Sequence, residues 1–276
     1  MQGIFQKENT DKALKYGIYR HLPTYEKIIR NLVSFYNKKG YKKAICEDAA
    51  LLNEHIISDS FSETQINSKA LVAIADGVGG NAGGELASRY ILNQFDKINI
   101  WDITAEELHQ FIENCNTGLL EYAKQFPDKG NMATTLTGII LLPDTCFIFH
   151  VGNTRIYGLQ GSYLKQFTKD QTTYQWLLDR GQIEEANTCN KNEITYCLGG
   201  GNLKYATGIC VNEYSPLNQC KRILLSSDGI HEYVSIDELE DFILGDINKE
   251  TMKEIADKAK NNGSDDDKTI VVIDRM

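Results

Sequence analysis

The chain has 276 residues, of which 42% are hydrophobic and 24% charged, with a formal net charge of −9. That is ordinary globular composition for one large domain or two small ones; no apolar run approaches the ~20 residues that span a bilayer, and no basic block offers a nucleic acid its counter-charge. The N-terminal MQGIFQKENTDKALK lacks the apolar core of a secretory signal, and seven cysteines without a CxxC pair read as reduced structural thiols, so a cytoplasmic protein is expected.

In chain order, residues 1–30 fit no clear element and read as an N-terminal extension, helical or partly ordered, ahead of a domain over 31–276. CEDAALL then places Glu47 and Asp48 before an apolar stretch. ALVAIA (70–75) is a short apolar strand that stops at Asp76, with a glycine next. Helical periodicity follows over 84–98 and again over 104–126, the second opening on the capping box Thr104-x-x-Glu107. TTLTGIILL (134–142), CFIFHVG (146–152), RIYGL (155–159) and SYLKQF (162–167) are strand-like, with LLPDTC and LQGSY as hairpin turns between neighbours. KRILLSS (221–227) is another strand, and it ends in Asp228-Gly229. Ser235-x-x-Glu238 opens a shorter helix, 249–260 a further one, and SDDDKTIVVID sets an acidic triplet before a last strand over 269–274. Hairpin-linked strands with separate long helices point to an α+β protein with antiparallel sheet covered by helices, rather than to alternating βαβ units.

Carboxylates at strand ends carry the chemistry. A carboxylate near the interior is costly unless a cation or hydrogen bonds compensate it. Several converging on one place repel one another unless a divalent metal neutralises them, and an oxygen-only ligand set suits hard cations such as Mg²⁺ or Mn²⁺. Gly77, lacking a side chain, leaves its carbonyl free to act as a ligand. Any one of these features alone is commonly a turn or a solvated loop. The glycines of 77–84 match neither GxxxxGK[ST] nor GxGxxG.

Taken together and in order, the segments resemble the metal-dependent protein phosphatases of the type 2C (PPM) family, especially compact bacterial members. The family's R-x-x-x-E-D falls on Lys43 to Asp48, its DGxGG on Asp76 to Gly80, and its G-E-x-A-S on Gly84 to Ser88. Ala133-Thr134-Thr135, Gly152-Asn153-Thr154-Arg155, Phe167 to Gln171, Ser227-Asp228-Gly229 and Asp266 to Thr269 match its remaining motifs. The resemblance implies an α-β-β-α sandwich of two antiparallel sheets flanked by helices. It implies hydrolysis of phosphoserine and phosphothreonine esters at a centre of two Mn²⁺ or Mg²⁺ ions, by attack of a metal-bridging hydroxide. By motif position Asp76 should bridge the ions, the Gly77 carbonyl should bind one, and Asp228 and Asp266 the other. Glu47 and Asp48 should hold metal-bound waters or touch the ions, and Lys43 should contact substrate phosphate. Phosphorylated proteins would be the substrates, with a cognate Ser/Thr kinase as the opposing partner; neither nucleic acid nor membrane is implied.

The departures matter. Lys43 replaces an arginine and so keeps the charge without the bidentate fork. Asn81 and Gln171 replace histidines, and Asn153 replaces an aspartate that in relatives helps to bind a third metal. These losses leave an alternative: a catalytically impaired pseudophosphatase acting as a phosphoprotein-binding or regulatory module. The five histidines lack metal-ligand spacing; His231, close after Asp228, reads as an ordinary loop residue.

Overall fold

The computed structural model describes residues 31–67, 69–78, 83–99, 101–129, 132–200, 208–214 and 220–275. The N-terminal extension, Gly79, Gly80 and Asn81 lie outside these residues. The strands are β1 (Asn31–Lys38), β2 (Ala49–Leu52), β3 (His55–Ile57), β4 (Phe61–Ile66), β5 (Ala70–Ala75), β6 (Gly77–Val78), β7 (Ala133–Thr134), β8 (Leu136–Leu141), β9 (Cys146–Val151), β10 (Arg155–Gln160), β11 (Tyr163–Gln166), β12 (Leu198–Gly199), β13 (Cys210–Glu213), β14 (Arg222–Ser226) and β15 (Lys268–Arg275). The helices are α1 (Gly84–Gln94), α2 (Ala105–Ala123), α3 (Thr173–Asp179), α4 (Ile183–Thr188), α5 (Asp228–His231), α6 (Ile236–Leu244) and α7 (Lys249–Asn261).

One six-stranded sheet runs β11-β10-β14-β15-β1-β4, the other β13-β9-β8-β5-β2-β3, and a small third sheet joins β12, β7 and β6. The neighbouring strands pair antiparallel, as the hairpin-like spacing predicts. In β5 the alternate residues Leu71, Ala73 and Ala75 pack toward α1 and α2, while Ala70, Val72 and Ile74 pack toward the opposite sheet. A strand covered on both faces has no solvent side to mark with polar residues, which is why ALVAIA reads as an unbroken apolar run. The opposite sheet repeats the pattern: Val271 and Ile273 face the sandwich interior, and Ile270 and Val272 face α6 and α7. Three apolar layers result, giving the helix-sheet-sheet-helix order expected.

Both capping boxes form as read. Thr104 and Glu107 cap α2, and Ser235 and Glu238 cap α6, each satisfying otherwise orphaned N–H groups. Other expectations shift. Residues 134–142 are two strands, because Thr135 breaks the run to hydrogen-bond the Asp76 carbonyl. The 84–98 helix becomes α1 and a 3₁₀ turn over Phe95–Lys97; α2 stops at Ala123; and the short helices α3 and α4 have no clear sequence period. All seven cysteines are free thiols. Among the described residues no helix is long and apolar enough to cross a membrane.

Candidate metal centre

Strand register brings the carboxylates together. Ala49 pairs with Ala75, so Asp48, entering β2, stands beside Asp76, leaving β5. In the other sheet Ser226 pairs with Ile270, which brings Asp228, just past β14, to the Asp266–Asp267 turn that precedes β15. Each sheet thus contributes carboxylates to the same end of the sandwich. The two sheets are tied there by a relay: the Asn37 amide donates to Thr269 Oγ1 at 2.6 Å, and the Thr269 hydroxyl donates to Asp48 Oδ2 at 2.5 Å.

The motif residues between the carboxylates hold their backbone. Thr135 Oγ1 accepts the Asp76 N–H at 3.0 Å, and Thr134 Oγ1 donates to the Asp76 carbonyl at 2.9 Å. Ser88 donates to the Glu47 carbonyl at 2.6 Å, Ser227 Oγ accepts the Thr269 N–H at 3.0 Å, and Ser264 donates to the Gly229 carbonyl at 2.9 Å. At Gly77 a Cβ would lie 2.4 Å from the Gly84 backbone, so only glycine lets α1 start this close to the centre.

The local field is strongly negative. Burial pushes Asp48 up to about 8, and the charge of Asp267 adds to it; burial and then Asp266 push Asp228 up to about 6. Asp76 is raised well above the usual carboxylate range, by burial first and then by Asp48 and Asp228. Asp48 Oδ1 and Asp228 Oδ1 are buried without a hydrogen-bond partner. Unsatisfied, oxygen-only and mutually repelling donors are the chemistry that a hard divalent cation answers. Among the described residues, however, no group of three or more His, Cys, Asp or Glu is already closed around a metal position. Lys43 is a compensating charge at the centre, lowering the pKa of Asp76 against its burial and its acidic neighbours.

Lys43, expected to meet phosphate, is itself engaged by carboxylates. Its ammonium lies 2.9 Å from Glu47, 3.3 Å from Asp267, and in hydrogen-bond contact with Asp266. Burial alone pulls its pKa down, but Asp266 and Glu47 outweigh that and raise it. The Asn153 amide donates to Asp228 Oδ2 at 2.9 Å. Gln171 Oε1 accepts the Gly152 N–H at 2.8 Å, which fixes the turn that carries Asn153.

Four participants were given no role from the sequence. Asp267, named only as a motif position within an acidic triplet, is buried and accepts the N–H groups of Gly40 and Glu47, both at 2.7 Å. Lys268 is buried and donates to the carbonyls of Ser264 and Asp266. Arg155 grips Asp170 through two nitrogens and reaches Glu232 at 2.9 Å, fixing the end of α5. Asn37 had no local signal, since its role depends on pairing with Thr269. His231 is a correction: it lies not on a loop but within α5, buried against Ser226 at 2.9 Å, and burial pulls its pKa well down.

A cleft of about 400 Å³ opens beside Lys43 and Glu47. A larger cavity of about 620 Å³ lies between β10, β14 and α6 and contains none of the carboxylates.

The family model for protein phosphatase 2C matches residues 46–264. The serine/threonine phosphatase stp of Listeria monocytogenes is 30% identical over 224 residues, which cover 76% of this chain and 86% of that one. The crystal structure of the catalytic domain of serine/threonine protein phosphatase PstP in complex with two manganese ions superposes with a TM-score of 0.71 at 26% identity, over 90% of this chain and 99% of that one. Stp1 from Staphylococcus aureus, at 24% identity, shares the fold with a TM-score of 0.73 over 88% of this chain and 94% of its own.

Proposed function

The chain belongs to the protein phosphatase 2C family and is a protein-serine/threonine phosphatase, and from that premise we propose that it hydrolyses phosphoserine and phosphothreonine esters of proteins with two Mn²⁺ or Mg²⁺ ions held by Asp76, the Gly77 carbonyl, Asp228 and Asp266. The observation that carries the reading is the pair of buried, partnerless carboxylate oxygens on Asp48 and Asp228, one from each sheet, at the same end of the sandwich. The manganese found in PstP supports the same choice of cofactor. When bound, such ions acidify water so that it can attack phosphorus, and they offset charge on the phosphoryl oxygens.

The chain's own residues do the rest. Asp76, held by Thr134 and Thr135 through its backbone, is fixed at the junction of β5 and β6. Asp48 is kept in place by the Thr269 hydroxyl, and with Glu47 it orders water at the centre. Lys43, tethered by Glu47 on its own loop, supplies the positive charge that meets the substrate phosphate. Asn153 orients Asp228 with a neutral donor and adds no negative charge to it. No covalent intermediate is required, which agrees with thiols that burial makes unreactive: Cys46, Cys115 and Cys146 are each pushed up to about 12. The cytoplasm, where a cognate kinase would act on the same proteins, is the proposed setting.

The test is release of phosphate from a phosphoserine peptide with Mn²⁺, then after chelation with EDTA. Turnover that EDTA abolishes and Mn²⁺ restores supports the reading. Phosphopeptide binding without turnover would favour a phosphoprotein-binding module instead.

A further inference from the structure

The cleft beside the carboxylates shares Lys43 and Glu47 with the centre and is otherwise lined by Lys42, Ala44, Ile45, Glu85 and Lys129. A peptide whose phosphorylated side chain reaches Lys43 has this space beside it for its flanking residues. Ile45 is 56% exposed, so the floor offers an apolar surface that the protein itself leaves uncovered. On the wall, Lys129 ends a 3₁₀ turn over Pro127–Lys129 and lies 3.0 Å from Glu85 Oε1, in the first turn of α1.

That ion pair is lopsided. The Glu85 side chain is 14% exposed and the Lys129 side chain 35%, so the lysine is the partner more open to solvent. An ammonium has three N–H donors, and Glu85 takes one. Glu85 thus works as a tether that holds a cation at the cleft wall with donors to spare, and a held cation gives up less side-chain entropy on binding than a free lysine. Lys42, which also lines the cleft, is 63% exposed and pairs at 2.8 Å with an open partner, Asp265, so it is held less firmly than Lys129. The chain as a whole carries −9, and three lysines, Lys42, Lys43 and Lys129, are gathered along this cleft beside Glu47 and Glu85.

We infer that this cleft is a specificity subsite that takes an acidic residue flanking the phosphoserine or phosphothreonine, with Lys129 as the residue that reads it. The inference rests on the phosphatase reading above.

The experiment compares phosphoserine peptides that differ only in Glu or Gln at each position within three residues of the phosphoserine, with Mn²⁺ present. At one flanking position the protein should favour Glu over Gln by about 5-fold in kcat/KM, carried mainly by KM, as expected for a partly exposed ion pair. Lys129→Ala should bring that ratio close to one and Lys129→Glu should invert it. Lys253→Glu, an equal charge change on the exposed side of α7, should leave the ratio as it is. If the Lys129 variants do not fold, the wild-type ratio should still shrink toward one in high salt, because the pair is screened. No preference at any position, a preference that persists in folded Lys129→Ala, or a wild-type ratio indifferent to salt overturns the subsite. Hydrolysis of p-nitrophenyl phosphate in the same preparations separates the two readings: turnover of that ester with peptides cleaved equally removes the subsite alone, and turnover of no ester removes the phosphatase reading and the subsite with it.

Discussion

The amide nitrogen of Asn153 lies 2.9 Å from Asp228 Oδ2, so a neutral donor stands where an aspartate would face another carboxylate. The other oxygen of Asp228 has no partner. Asn153→Asp should therefore remove a charge-assisted hydrogen bond and add a like charge, costing about 1.5–3 kcal/mol of metal-free stability. Millimolar Mn²⁺ should recover that loss through a weak additional metal site. Thermal unfolding of both proteins in EDTA and over a Mn²⁺ series checks it; identical melting curves in EDTA would contradict the assignment.

The metal-free protein should lose stability as pH rises. Asp48 at about 8, Asp228 at about 6 and the raised Asp76 all hold protons more tightly folded than unfolded. Their contribution is complete below the ordinary carboxylate range near 3.8 and is lost as pH climbs through the folded values. Buried His150 and His231, whose pKa values are depressed, work the other way and add stability as pH climbs to about 6.5, so in EDTA the melting temperature should fall most clearly between about pH 6.5 and pH 8. Asp76→Asn should flatten that slope and raise the metal-free melting temperature at pH 8, while removing nearly all Mn²⁺-dependent turnover. A stability that rises with pH above about 6.5 would show that the carboxylates do not crowd as described.

Lys43 and Lys42 are neighbours in sequence with opposite surroundings. Lys43 is held among Glu47, Asp266 and Asp267, while Lys42 is exposed and pairs with Asp265. Lys43→Ala should cut kcat/KM for a phosphate ester at least ~10-fold, about 1.4 kcal/mol of transition-state stabilisation. Lys42→Ala on the same ester should do little. Equal small effects would reduce Lys43 to a member of a solvated basic stretch.

Thr269 links Asn37 to Asp48 across the two sheets. Thr269→Val keeps the shape and removes the donor, leaving Asp48 without its hydrogen bond. A loss of ~1–3 kcal/mol in chemical unfolding is expected. Calorimetric titration should show altered Mn²⁺ affinity, since the orientation of Asp48 is then unsupported.

Much of this centre was legible because its residues end elements with strong local signals. Asp76 follows an unbroken apolar strand, Asp228 follows another, and α2 announces itself by the Thr104–Glu107 box. Asp267 was not legible: a third aspartate in a row looks solvated, and it is buried only because Gly40 and Glu47, over two hundred residues away, turn their N–H groups toward it. Strand β1 was missed because NLVSFYNK mixes polar and apolar residues at both faces, and its buried Asn31, Ser34 and Asn37 donate hydrogen bonds to partners distant in sequence. The histidine in α5 was misread because four residues carry too little period to reveal a helix.

The most direct measurement is anomalous scattering from a crystal of the unaltered protein soaked in Mn²⁺. Two manganese peaks bounded by Asp76, the Gly77 carbonyl, Asp228 and Asp266 are expected, with no third well-occupied peak beside Asn153. Manganese bound away from Asp76, or a third strong peak between Asn153 and Asp228, would contradict this arrangement.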